Sequence, residues 1–232
     1  MAWPPDLNYG TKDGTLNELS QSLLSKDKKL ILEILRHQTN FEWGGYRLYD
    51  GTHTHLHQNP EELADFIFYL LDYQKKFKKK IKKLLIIGYL DGFTDAILNK
   101  FFQFDEIVAV DTFQESGSGL LLRANLKYKN LTIICGDSTS KRVVENFNKF
   151  APFDLVFIDG NHSYDFVKKD FENTIDLVSE KGLLCFHDIK APSAPDVGKF
   201  YNKLKKKNKY FFKEFYCDWT PMKTGIGVLG KK

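Results

Sequence analysis

The sequence predicts an α/β fold built on a doubly wound, mostly parallel sheet of seven strands, and three observations predict it. From residue 84 onward, short apolar runs alternate with helical patterns. The runs are continuous Val/Ile/Leu stretches rather than alternating ones, which marks strands covered on both faces, and strand–helix alternation marks a parallel sheet. The tail breaks that grammar: "YFFKEFYCDW" and "GIGVLG" read as two strands joined by a short turn through Pro221, expected to form an antiparallel C-terminal hairpin at the sheet edge.

Taken in order, residues 1–58 are irregular, with Pro and Gly early and a helical pattern in "NELSQSLLSKDKKLILEILRHQ" (17–38). A second helix is well marked. Asn59 can cap it, Pro60 suits its first position, Glu61 and Glu62 favour its positive end, and Leu63, Phe66, Ile67 and Leu70 recur on one face. Residues 1–83 are therefore expected as a helical N-terminal extension packed on the core like a lid, and 84–232 as a Rossmann-like domain. The domain's strands are expected at 84–88, 106–111, 131–137, 153–159 and 182–188. Helices are expected between them, the last starting at a Ser163 cap and ending at Gly182.

The bulk numbers narrow the class. The 232 residues are 42% hydrophobic and 15% aromatic, enough for a real core. No apolar run approaches the ~20 residues that span a bilayer, and "MAWPPDLNYG" lacks a basic-then-apolar leader. Three cysteines, Cys135, Cys185 and Cys217, lack metal-type spacing and sit at apolar, strand-like places. They read as reduced core residues of a cytoplasmic protein. The net charge of +4 is mild. The lysine runs "KKFKKKIKK" (75–83) and "KLKKKNK" (203–209) carry no interleaved aromatic stacking pattern, so they read as solvated helix faces, and neither membrane nor nucleic acid is the expected partner.

Asp111, Asp137, Asp159 and Asp188 each follow an apolar run, the last two within "FIDGNH" and "FHD". Ligands of such sheets bind beyond the carboxyl ends of the strands, so four carboxylates are expected along one rim. A dinucleotide fingerprint starting at Gly88 would need glycines at 90 and 93, which are Leu90 and Phe93. The Gly88-to-Gly92 turn instead suits a bulky ligand without phosphates at its glycines, such as S-adenosylmethionine. Asp111, 23 residues after Gly88, can accept two ribose hydroxyls, and Asp137 or Ser138 can meet the adenine amino group.

On these motifs, residues 84–188 resemble class I S-adenosylmethionine-dependent methyltransferases. "FIDGNHSYDFVKKDFENTIDLVSEKGLLCFHDI" is similar to the branch with macrolide sugar O-methyltransferases and cephalosporin-hydroxylase-like enzymes. "YDGTHTHLHQNPEEL" and "GIGVL" resemble it too. The resemblance implies cofactor contacts from Gly88, Tyr89, Gly92, Thr94, Asp111, Thr112, Asp137, Ser138 and Asp159. It implies a divalent metal held by Asp159 of the Asp159–His162 D-x-x-H motif and by the pair His187–Asp188, 28 residues on. His162 would serve as base, with Asp159 as its catalytic partner. Two positions depart from the pattern: His187 stands for a carboxylate, and Ile86 for an acid of the first motif. Oxygen ligands suit magnesium, and an imidazole at 187 tilts the site toward manganese, iron or zinc.

The chemistry is coherent, because cation coordination lowers the pKa of an aliphatic hydroxyl and a His can take its proton near neutral pH. The expected function is methyl transfer to a hydroxyl of a sugar or natural-product-like small molecule, with self-association expected as in related enzymes. Rival readings are an RNA or protein acceptor served by the lysine runs, and a degenerate fold used as a binding module. Metal-dependent hydroxylation ranks last, for want of a jelly-roll pattern. His53, His55 and His57 would share one face of an extended strand, as a second metal site, a substrate-covering loop or plain surface.

Overall fold

The computed structural model describes residues 27–46, 56–90, 92–114, 129–220 and 222–232. Outside them lie the start of the first expected helix, His53 and His55, residues 115–128 between the strands expected at 106–111 and 131–137, and Pro221. Among the described residues, six α-helices and seven strands follow one another as α1 Lys28–Gln38, α2 Pro60–Phe77, β1 Lys83–Ile87, α3 Phe93–Phe102, β2 Glu106–Asp111, β3 Leu131–Cys135, α4 Lys141–Asn148, β4 Phe153–Ile158, α5 Tyr164–Thr174, β5 Val178–Phe186, α6 Pro195–Lys205, β6 Tyr210–Phe215 and β7 Ile226–Lys231. None of these helices is long and apolar enough to cross a membrane.

The strands form one sheet in the order β3-β2-β1-β4-β5-β7-β6. β1 to β5 run parallel, and β7 lies antiparallel to both β5 and β6. The expected antiparallel edge is present, but its second strand is inserted between β5 and β6 rather than added outside. The continuous apolar runs have a direct cause. Leu84 and Ile86 join one core with Leu63, Phe66 and Leu70 of α2 and Ile97 and Phe101 of α3. Leu85 and Ile87 join the other with Phe147 of α4, Phe171 of α5 and Phe200 of α6. Successive side chains of a strand point to opposite faces, so a strand covered on both faces must be apolar at every position. α2 thus shares a core with the sheet, and Ile86 is part of it.

Two expectations are corrected here. The last helix does not reach Gly182. It ends at Thr174, a 3₁₀ turn covers Ile175–Leu177, and β5 then runs through Gly182. The β4–β5 register shifts between Phe153 and Leu155, and a Cβ at Gly182 would come within 2.8 Å of Val178, so a glycine accommodates the irregularity. Ser163 takes the N-cap position of α5 but makes no side-chain cap bond. Of the three thiols, Cys185 and Cys217 are buried, whereas Cys135 is exposed, because β3 is the edge strand of the sheet.

The strand order reverses between β1 and β4, and there the strand ends are level. Ile87 pairs with both Val110 and Ile158. Past that row, Gly88 N donates to Val110 O at 2.9 Å, Asp159 N to Ile87 O at 2.8 Å, and His187 N to Ile158 O at 3.0 Å. Such a switch point opens a crevice at the carboxyl ends of the strands.

Candidate active site

A cleft of about 920 Å³ opens at that switch point. One side is lined by Gly88, Tyr89, Thr94, Asp111, Thr112, Asp137 and Ser138, and the other by Asp159, His162, His187 and Asp188. Of the residues expected to meet a cofactor, Gly92 does not line it. The two glycines act differently from expectation. A Cβ on Gly88 would lie 1.9 Å from the carbonyl oxygen of Asp159, and one on Gly92 2.3 Å from the hydroxyl of Tyr89. Their missing side chains make room for the protein's own β4 terminus and tyrosine rather than for a ligand.

Asp111 organises this turn. Its Oδ2 accepts from Tyr89 N at 2.7 Å and Leu90 N at 2.9 Å, and its Oδ1 from Phe113 N at 2.7 Å. A carboxylate offers about four acceptor positions, so capacity for a further donor remains. Asp137 Oδ1 accepts from the backbone and hydroxyl of Thr139.

Ser138 donates to Asp170 Oδ1 at 2.7 Å. Asp170 is buried, its Oδ2 has no hydrogen-bond partner, and burial pushes its pKa up to about 6. An acid with a raised folded-state pKa favours folding fully below its unfolded pKa and loses that contribution as pH rises through the folded value. Asp170→Asn is therefore expected to stabilise the protein by roughly 1–3 kcal/mol at pH 7.5, with the gain fading toward pH 4. Urea unfolding of both proteins at the two pH values checks this, and an equal effect at both would contradict it.

The opposite wall is a chain of alternating acids and imidazoles. His162 Nε2 lies 3.2 Å from Asp188 Oδ2 and 3.6 Å from Asp159 Oδ1. The bond to Asp159 raises the pKa of His162, burial opposes this, and the charge of Asp188 adds to it. Asp188 has φ +61°, the left-handed region that an aspartate tolerates better than most residues. The turn is held there by Ile189 N donating to Gly225 O and Lys190 N to Thr224 O. The donor atoms of Asp159, His162 and Asp188 all lie within 4.8 Å of one another, a set that fits a divalent cation.

His187, expected among the ligands, is buried with both ring nitrogens facing carboxylates. Nδ1 lies 3.2 Å from Asp159 Oδ1 and 3.4 Å from Asp188 Oδ2, and Nε2 lies 3.2 Å from Glu62 Oε1. Burial works against a charged ring here, but Asp159 and Asp188 outweigh it and hold the pKa well above the ordinary value. The pKa of Asp159 is depressed in turn: burial opposes ionisation, and the charges of His187 and His162 overcome it.

Two residues of this wall escaped the sequence reading. Glu62, on α2, is fully buried and accepts from Thr224 Oγ1 at 2.5 Å and Gly225 N at 2.7 Å besides facing His187. Its signal was available: Glu62 precedes Phe66 by four residues, on the apolar stripe itself, and a carboxylate there needs a buried partner. Gln58 donates from Nε2 to Asp159 Oδ2 at 3.1 Å, and its irregular segment carries no periodic signal. His57 and Trp43 also line the cleft, in edge contact at 5.8 Å.

Residues 85–189 match a family described as a methyltransferase domain. No curated protein sequence matches the chain. Among solved structures, the chain is similar to the O-methyltransferase TomG of Streptomyces achromogenes, involved in tomaymycin synthesis and solved with S-adenosylmethionine (16% identity, 94% of this chain and 96% of that one, TM-score 0.56). It is also similar to a Bacillus cereus O-methyltransferase in complex with S-adenosylhomocysteine (14% identity, 94% and 97% covered, TM-score 0.56) and to an rRNA methylase of Streptococcus thermophilus (12% identity, 71% and 95% covered, TM-score 0.51). At these identities the likeness is one of fold. The match to a methyltransferase domain spans residues 85–189, a little under half of the chain.

Proposed function

We propose that the protein is an S-adenosylmethionine-dependent O-methyltransferase acting on a hydroxyl of a sugar or natural-product-like small molecule. The observation that carries this reading is the convergence of Asp159, His162 and Asp188 beside a cleft that continues past Asp111. Asp111 takes the ribose, and Asp137 or Ser138 the adenine. Asp159 and Asp188 are the carboxylates that would hold a divalent cation, magnesium or manganese, which when bound would lower the pKa of an acceptor hydroxyl and fix its oxygen.

His162 removes the hydroxyl proton. The oxygen then attacks the methyl carbon in line with the breaking carbon–sulfur bond, and S-adenosylhomocysteine leaves as a neutral thioether. His187 and Glu62 keep the two carboxylates in place from behind. In this reading residues 1–83 are an extension over the acceptor side and the surface for self-association, and the protein works in the cytoplasm with its thiols reduced.

A polynucleotide acceptor is less well supported. Lys79, Lys82 and Lys83 pair with Asp154, Asp105 and Glu106, near the amino ends of the strands and opposite the cleft. Calorimetry with S-adenosylmethionine, with and without magnesium or manganese, tests the proposal. Wild-type protein is expected to bind the cofactor, and Asp111→Ala to bind it more weakly by about 1.5–3 kcal/mol. Equal affinity in the two would remove Asp111 from the ribose site, and no binding by wild type would remove the proposal.

A further inference from the structure

Asp170 is a buried acid that the methyl-transfer chemistry does not use. It lies on α5, fully buried, and among the described residues its Oδ2 has no hydrogen-bond partner. Its Oδ1 accepts from the Ser138 hydroxyl at 2.7 Å. Burial pushes its pKa up to about 6, so at pH 7.5 it is still a carboxylate and can only accept. A buried carboxylate holds such a donor firmly, because losing the bond would leave a second oxygen unpaired.

That bond limits what Ser138 can offer a ligand. A hydroxyl has one hydrogen and two lone pairs. Ser138 lines the cleft beside Gly136 and Asp137 and reaches Asp170 from there. With its hydrogen given to Asp170, the hydroxyl keeps only acceptor capacity for the cleft. The neighbouring Asp137 Oδ1 is turned to the backbone and hydroxyl of Thr139, at 2.7 Å and 2.8 Å.

We propose that Asp170 is a positioning residue that holds Ser138 as an acceptor, so that the cofactor's base must present a donor at position 6, as the adenine amino group does and the hypoxanthine carbonyl does not. This rests on the methyl-transfer reading above, which puts the adenine at Asp137 or Ser138. A 6-oxo base sets its oxygen against the Ser138 oxygen, and away from bulk water two facing acceptors repel strongly. A site built to meet a donor rejects the analogue that lacks it. Asp170 exerts this selection without touching the ligand.

The test is calorimetry at pH 7.5 with S-adenosylhomocysteine and its 6-oxo counterpart, S-inosylhomocysteine. The wild-type protein is expected to bind the adenosyl ligand about tenfold more tightly, or better. The two bases also differ at position 1, so the decisive readout is the change on mutation. In Asp170→Asn the amide can turn to donate to Ser138 Oγ, which releases the hydroxyl hydrogen toward the cleft. This variant is expected to bind S-inosylhomocysteine about fivefold more tightly than wild type does, and S-adenosylhomocysteine within about threefold of wild type. A purely structural role for Asp170 would not strengthen binding of the 6-oxo base. Equal affinity of wild type for the two ligands overturns the proposal, as does unchanged or weaker S-inosylhomocysteine binding in Asp170→Asn. If Asp170→Asn does not fold, Ser138→Ala decides. There the preference for the adenosyl ligand is expected to shrink about fivefold, and an undiminished preference overturns the proposal. Failure of wild type to bind S-adenosylhomocysteine at all sinks the methyl-transfer reading itself.

Discussion

Replacing His162 with alanine is expected to slow methyl transfer by about 10²–10⁴-fold, the usual contribution of a positioned general base, while S-adenosylhomocysteine binds within about threefold of wild type. His162 faces Asp188 and Asp159 across the rim at 3.2 Å and 3.6 Å. The turn that would hold the adenosyl group is instead braced by Asp111, on the far side of the cleft. The two functions should therefore separate on mutation. Transfer of label from S-adenosyl-[methyl-³H]methionine to any acceptor that the wild-type protein methylates measures the first, and calorimetry the second. An unchanged rate would remove His162 as the base. A rate and a cofactor affinity lost together would assign it to the cofactor site instead.

Removing Glu62 should have the largest effect on stability. The carboxylate is fully buried and faces three donors: the Thr224 hydroxyl, the Gly225 amide and the His187 ring. Glu62→Ala would leave all three without that partner and strand a buried imidazole between Asp159 and Asp188 on one side only. Breaking a buried pair in this way costs about 3–5 kcal/mol. For a chain of this length that corresponds to a Tm lower by roughly 6–20 °C. Differential scanning calorimetry reads the shift directly, and a change below about 1 kcal/mol would show that the Glu62–His187 contact contributes little. Glu62→Gln should lose less, since its carbonyl can still accept from Gly225. Glu62 ties α2 to the segment entering β7 and to the end of β5, so its loss should loosen the rim as well as the fold.

The sheet was legible because burial on both faces forces a continuous apolar run, and each of the five parallel strands carries one. The rim was legible for a related reason: Asp111, Asp159 and Asp188 each stand where an apolar run stops. What periodicity does not encode is pairing order, so the insertion of β7 between β5 and β6 could not be read. The helix after Ser163 was drawn too long because "IDLVSEKG" keeps helical composition while the chain is already in a 3₁₀ turn and then in β5. Cys135 looked like a core residue from its apolar neighbours, yet an edge strand leaves it exposed.

The site was half legible. Asp159 and Asp188 stand where apolar runs stop, and their donor atoms lie with that of His162 within 4.8 Å of one another, whereas the expected ligand set had His187 in place of His162. The inward turn of His187 could not be anticipated, because its partner Glu62 lies 125 residues away in sequence. Gln58 was invisible for the same reason, since its importance comes from one contact with Asp159, 101 residues on.

The central claim is that one cleft seats an adenosyl group against Asp111 and presents its methyl to an oxygen at Asp159 and His162. The structure of the protein with S-adenosylhomocysteine tests it most directly. The account predicts a ribose hydroxyl on Asp111 and the sulfur turned toward Asp159 and His162. An adenosine bound elsewhere, or a sulfur facing away from those two residues, would contradict it.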